Sequence, residues 1–460
     1  MSKTALVTHA DTATTESSQT ARRSTATVAE TTPTAVATTS APGSFWGYVR
    51  SLGPGAVIAL TWVGTGDMIG NAVAGGNYGY ALLWALVLSV AIRFLFVNML
   101  ARYPIYNTHR DTSIVRGYSR LSPLFTGAML VSFVAYGHIL GAYTFSGAGE
   151  ALANLTGGAI GKLPWALLAA ASVLVVTLRG SYTVLENLFK AILAVMMVAF
   201  LVGVVRVGVS WGELGSGLAF ATPAQEGTFD SGLIVAGLLL ATTGSILNFV
   251  YPQFLVERGW TTPGHRKIQQ YDLLFGALAV LFLAAAIWIV GAEVLAGEGS
   301  VDTAEDIAGG LAGAVGPVGS DIFFLGLLAA AWTSIAGAAF ALSKMAVECL
   351  QIMQPGRTER YGGDTSRDPA HTWVVLFAVA AVVWSAPFAP DFVVLTVALS
   401  ALSAPFLVLM AGGLVLLLNR RDLMGEHVNR WWNNVTLALI IAIVTYAGYE
   451  GIKGIVEIIS

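Results

Sequence analysis

Beyond its first fifty residues the chain is a series of long apolar runs separated by short polar segments. The runs predict helical spans at about 53–75, 79–100, 122–150, 163–178, 182–206, 231–255, 271–297, 319–349, 370–387, 391–418 and 433–456. About 20 apolar residues carry a helix across a bilayer, and the longer runs have room to tilt. The pattern predicts an all-α polytopic membrane protein of about eleven transmembrane helices. Two runs are interrupted by small and polar residues. The first contains Gly64-Thr65-Gly66-Asp67 and the sixth contains Ala241-Thr242-Thr243-Gly244-Ser245, with Tyr251-Pro252 expected to mark the end of that second break. Breaks five spans apart predict a 5+5 inverted repeat, with helices 1 and 6 broken and facing each other near the bilayer midplane. The repeats fall at about 53–206 and 231–418, and the helix at about 433–456 is an addition.

Residues 1–44 have no apolar run and are rich in Thr, Ala and Ser. Such a segment is expected to be a disordered cytoplasmic tail, preceding a transporter domain at 45–460. It holds no signal-peptide core. With 55% hydrophobic and 11% charged residues, the composition departs from the roughly 25% charged residues of soluble domains. The 51 glycines suit close packing of helices in lipid. A single cysteine, Cys349, excludes an intramolecular disulfide and a cysteine-rich metal site. A net charge of −3 gives no footprint for nucleic acid. The basic residues cluster in alternate connections, such as Arg102, Arg110, Arg116 and Arg120, or Arg258, Arg266 and Lys267. The loop 298–321 carries only acidic charges. By the positive-inside rule the N-terminus is cytoplasmic and the C-terminus outside, in a plasma membrane.

Asp67 is the leading candidate for chemistry. A carboxylate in mid-membrane is costly, and beside a helix break it can bind a cation or take a proton. The plainer alternative is a salt bridge to Arg93 of the second span. Gly64, Thr65, Thr242, Thr243, Gly244, Ser245 and Asn248 offer backbone and side-chain oxygens around the two breaks, of the hard type that Mg²⁺ and Ca²⁺ prefer. Each is equally explained by hydrogen bonding between helices. His138, Arg93 and Glu186 are candidates for a proton pathway. Against that, His138 suits a buried imidazole bonded to a carbonyl. Glu186 with Lys190, and Lys344 with Glu348, stand four residues apart and suit local ion pairs. No Walker A, HExxH or GxSxG pattern is present, so no enzyme constellation is recognised.

The stretches Gly53-Pro54-Gly55, Tyr78-Gly79-Tyr80 and Leu82-Leu83-Trp84 resemble the Nramp family of divalent-metal transporters. The likeness continues through Gly141-Ala142, Leu327-Leu328-Ala329-Ala330-Ala331 with Ser334, and Pro405-Phe406. The resemblance implies eleven helices, LeuT-like 5+5 inverted repeats and alternating access. The site departs from the family pattern. Where the family has Asp-Pro-Gly-Asn, this chain has Gly64, Thr65, Gly66 and Asp67. The carboxylate is thus displaced by three residues, about one helical turn. No Met lies in 231–255 to match the family's sulfur ligand. Val397 stands for the tenth-helix Gln, Ala135 and His138 for the third-helix acidic pair, and Gln253 for the sixth-helix His.

The reading that follows is a secondary transporter of an Nramp-like branch. It moves a divalent cation, Mg-like or Mn-like, held by Asp67 as the metal ligand. An oxygen-only site suits hydrated Mg²⁺. Apart from the transported cation no cofactor is expected. Partners are the lipid bilayer and a small inorganic cation or small solute, with no nucleic acid. Proton or membrane-potential coupling is a further hypothesis. Two alternatives are a carrier of a small organic cation or amino acid, and a non-transporting sensor or scaffold on a transporter fold.

Overall fold

The computed structural model describes residues 52–220, 231–242, 245–296, 303–390, 395 and 404–459. The expected tail at 1–44 and the candidates Thr243, Gly244 and Val397 lie outside the described residues. Among the described residues the chain is helical, without a β-strand. The first predicted span is two helices, α1 (Pro54–Trp62) and α2 (Thr65–Tyr78), bent by 62° at the break. After them come α3 (Leu83–Leu100), α4 (Pro123–Leu155), α5 (Lys162–Arg179) and α6 (Tyr182–Val207). The sixth span is also in pieces. Helix α7 (Ser231–Thr242) is followed after the interruption by a 3₁₀ turn, Ile246–Phe249, and then by α8 (Val250–Arg258). The remainder comprises α9 (Arg266–Val294), α10 (Ala304–Val315), α11 (Val318–Met353), α12 (Pro369–Ala380), α13 (Ala404–Asn419) and α14 (Trp431–Ile459). Among the described residues seven helices are long and apolar enough to cross a membrane, and the bent pair, taken as one span, makes an eighth. The interrupted sixth span and the shorter apolar helices Pro369–Ser385 and Pro405–Asn419 fall on the other predicted runs. This is the all-α, broken-helix architecture that the inverted-repeat pattern predicts.

Helix α1 is hydrophobic on every side, and all of its residues are buried. It is therefore a core element, whereas α5 and α6 turn Leu167, Leu168, Val195 and Val198 outward as lipid-facing helices do. Helix α9 runs against both halves of the first span. This is possible because a side chain at Gly55 would strike the backbone of Asp272, and one at Gly291 would strike that of Ala72. Removing the Cβ lets the backbones meet, the usual route to tight contact where apolar burial from water gives little drive.

Three details differ from the sequence reading. The acidic stretch at 298–321 is not simply a loop, because it contains α10. The start of α10 is fixed by reciprocal bonds: the Thr303 hydroxyl accepts from the Asp306 N–H (3.1 Å) and the Asp306 carboxylate accepts from the Thr303 N–H (2.8 Å). Tyr251-Pro252 does not end the sixth-span break but sits in the first turn of α8 beyond it.

The third difference concerns an ion pair. Lys344 and Glu348 do not pair with each other. Lys344 reaches Glu257 on α8 at 2.6 Å, while Glu348 accepts from Ser113 (2.6 Å) and Arg116 (3.3 Å). Partners on neighbouring elements win because both side chains point into a packed interface, where leaving Glu257 unpaired would cost more than an isolated i,i+4 pair gains. A double-mutant cycle on Lys344 and Glu257, read by thermal melting, is expected to show a coupling of about 1 kcal/mol, against near zero for Lys344 and Glu348. The reverse ranking would refute this arrangement. Glu186 does pair with Lys190, at 2.7 Å, as its spacing predicts.

Candidate functional site

The break in the first span is made by extended backbone at Val63 (ψ 93°) and Gly64 (φ −102°, ψ −176°). Neither residue needs a left-handed conformation. Glycine is favoured at position 64 by space, since a Cβ there would lie 3.2 Å from the Ser334 hydroxyl. Breaking the helix releases carbonyls at the end of α1, and α11 satisfies them. The Thr333 hydroxyl donates to the Leu60 carbonyl (3.1 Å) and the Ser334 hydroxyl donates to the Thr61 carbonyl (2.6 Å). An opened helix in lipid persists only if its freed backbone groups find such partners.

Asp67 occupies the first turn of α2. Its carboxylate accepts the Gly64 N–H at 3.1 Å, so it steadies the start of its own half-helix and offsets the positive end of that helix's dipole. As a residue Asp67 is half-buried. The Gly64 carbonyl, expected to face a ligand, already accepts the Met68 N–H (3.1 Å) as the first bond of α2. One turn further on, the Asn71 amide donates to the Asp67 carbonyl at 2.6 Å. Thr65 is buried, and among the described residues its hydroxyl makes no hydrogen bond. A buried hydroxyl left so costs about 1–3 kcal/mol.

Across from these residues stands the sixth-span break. Ser245 is extended; its hydroxyl accepts the Leu247 N–H (3.2 Å) and lies 2.9 Å from the Tyr136 hydroxyl of α4. Asn248 is fully buried in the 3₁₀ turn. Trp62, the last residue of α1, donates its indole N–H to the Leu247 carbonyl at 3.4 Å, so the two breaks touch. The Arg93 guanidinium of α3 lies 4.8 Å above the Trp62 ring and is 1% exposed. Asp67, Arg93 and Tyr136 are within electrostatic reach of one another. The plainer alternative for Asp67, a partnership with Arg93, thus coexists with its place at the break.

The structure separates the other candidates from this group. The His138 ring stacks on Phe377 with centroids 4.5 Å apart, and its Nδ1 lies 2.8 Å from the Phe377 carbonyl on α12. Glu186 lies beside Gly53 at the start of α1, with Lys190 and Arg258 at 2.7 and 3.6 Å. That is about 16 Å along the chain axis from the break, at 1.5 Å per helical residue. Of the three pathway candidates only Arg93 reaches the break. Thr242 ends α7.

Sequence reasoning missed Tyr136 and Trp62. The signal for Tyr136 was available: Met129, Ser132, Phe133, Tyr136, Gly137, Leu140 and Gly141 form one buried face at spacings of three and four, and His138 falls off that face. It also missed Asp272, which is fully buried on α9. Asp272 accepts the Gly53 N–H (2.9 Å) and the Tyr251 O–H (3.1 Å), tying the start of α1 to α8. Among the described residues no three His, Cys, Asp or Glu side chains converge to hold a metal. A hollow of about 660 Å³ between α5, α6 and α11, lined by Ser172, Met196, Phe200, Leu325 and Trp332 among others, is almost wholly apolar and includes none of the residues at the breaks. It has no chemistry for an ion.

Two interrupted helices that touch at their breaks, inside an all-helical bundle with spans long enough to cross a membrane, have the architecture of a multi-pass membrane transporter. The chain belongs to the Nramp family: residues 55–452 match the family model described as natural resistance-associated macrophage protein-like. It is 27% identical over 306 residues to a Bacillus subtilis (strain 168) protein named divalent metal cation transporter MntH, covering 63% of this chain and 68% of that one. Its fold is similar to the crystal structure of an Eremococcus coleocola manganese transporter, with a TM-score of 0.72 at 18% identity, covering 89% of this chain and 87% of the other.

Proposed function

We propose that this protein carries a divalent cation across the membrane by alternating access, with Asp67 as its acidic ligand. The observation that carries the reading is the position of Asp67: a carboxylate in the turn next to the first-span break, which itself touches the second break through Trp62 and Leu247. The relatives' names, a divalent metal cation transporter and a manganese transporter, support a metal ion as cargo. The C-terminal end of α1 adds negative dipole character at the same place. Without a sulfur donor on the described part of the sixth span, the oxygen-rich surroundings favour a hard ion that keeps part of its water, so Mg²⁺ ranks beside Mn²⁺. The basic residues in alternate connections support a cytoplasmic N-terminus.

A second reading is a carrier of amino acids or small organic cations. The Arg93 guanidinium near Asp67 favours it, because a zwitterion would find both charges there. Uptake by purified protein in liposomes separates the two. The expected result is flux of Mn²⁺ or Mg²⁺ that a panel of amino acids does not inhibit. Uptake of an amino acid with no metal flux would replace the first reading by the second.

A further inference from the structure

We infer that Arg93 is the specificity-determining residue of this site: a tethered cation that balances Asp67 and weakens the hold on every transported cation in proportion to the cation's charge. The inference rests on the reading of Asp67 as the cation ligand.

The geometry fixes the guanidinium in place. Arg93 is 1% exposed, lies 4.8 Å over the Trp62 ring, and so sits at the last residue before the first-span break. Trp62 in turn donates to Leu247 at the sixth-span break, so the arginine stands where the two half-helices meet. An arginine over an aromatic face is held by cation–π attraction and cannot lose its proton under ordinary conditions. It is therefore a permanent positive charge. The groups facing it are Asp67 from α2, Trp62 from α1 and Tyr136 from α4, with Ser245 bonded to Tyr136 behind them. Of these, Asp67 is the carboxylate.

A cation that enters this space meets one negative and one positive side chain. Coulomb energy is linear in the charge of the ion, so Arg93 penalises a divalent ion twice as much, on a free-energy scale, as a monovalent one at the same place. The affinity factors are then related as a number and its square. Such a site binds weakly and releases readily, which suits a carrier that must unload its cargo.

The test is a titration of purified protein with Na⁺, Mg²⁺ and Mn²⁺ separately, by calorimetry, on the wild type and on Arg93→Gln, Arg93→Lys and Asp67→Asn. If Arg93 acts as inferred, Arg93→Gln tightens Na⁺ by about tenfold and the divalent ions by about a hundredfold, the square of the first factor. Arg93→Lys keeps the charge and holds all affinities within about threefold. Unchanged or weakened divalent binding in a folded Arg93→Gln overturns the inference, as does equal tightening for both charges. If Arg93→Gln does not fold, a tenfold change of divalent affinity in Arg93→Lys overturns it instead. A merely structural arginine would lower the melting temperature without producing the squared relation. Failure of the underlying reading has a different signature: Asp67→Asn would then bind the divalent ions as the wild type does.

Discussion

Asp67→Asn is expected to abolish divalent-cation uptake in proteoliposomes, lowering the initial rate at least a hundredfold while leaving the protein folded. The substitution is nearly isosteric, and the Asn side-chain oxygen can still accept the Gly64 N–H that the carboxylate accepts at 3.1 Å. The start of α2 therefore survives. What is lost is the negative charge. At an effective dielectric of about 20, a unit charge about 4 Å from an ion is worth about 4 kcal/mol, and a divalent ion doubles that. Each 1.4 kcal/mol is tenfold, so even heavy screening by water leaves a loss of two orders of magnitude. The Arg93 charge remains nearby and repels the cargo further. Flux measured with a metal-sensitive dye inside the vesicles decides the matter, and normal uptake by the variant would remove Asp67 from the mechanism.

Asp272→Ala is expected to give the largest loss of stability. Its carboxylate accepts from the Gly53 N–H at 2.9 Å and from the Tyr251 hydroxyl at 3.1 Å. Tyr251 keeps a second acceptor, the Gln269 carbonyl, also at 3.1 Å. The Gly53 N–H loses the acceptor that Asp272 provides, at the buried beginning of α1. An unsatisfied buried donor costs about 1–3 kcal/mol, and the emptied volume adds about 1 kcal/mol more. Thermal melting in detergent is expected to drop by several degrees, with protease cleavage appearing first near the start of α1. Asp272→Asn, which keeps one acceptor, is expected to lose less. Identical melting of wild type and Asp272→Ala would show that the start of α1 is held by packing alone.

The two cases differ in how far sequence could reach them. Asp67 was legible because an acid next to glycines in an apolar run is costly wherever the helix turns. Asp272 was not, because it stands at the edge of its run, where a carboxylate also suits the membrane surface. Only the closeness of α1, permitted by Gly55, puts it in the interior. His138 was open to two readings, a proton path or an imidazole bonded to a carbonyl. Its Nδ1 lies 2.8 Å from the Phe377 carbonyl and its ring stacks on Phe377, while the same helix presents Tyr136 to Ser245. Periodicity says which side chains share a face, and what that face meets depends on its neighbours. Lys344 was misassigned for a related reason. Spacing identifies Glu348 as a reachable partner but carries no information on Glu257, which is 87 residues away in the chain.

By itself the sequence determined the membrane class, the order of the spans, the two interruptions and the family resemblance, since each depends on local composition and period. The tertiary structure decided which polar groups meet: Asp272 with Gly53 and Tyr251, and the hydroxyls of Thr333 and Ser334 with the carbonyls freed at the first break; it also brought Arg93 within electrostatic reach of Asp67. The physical reason is distance. A hydrophobic run declares its medium over about twenty residues, whereas a buried polar group must be satisfied by whatever the fold brings within about 3 Å, however remote in the chain.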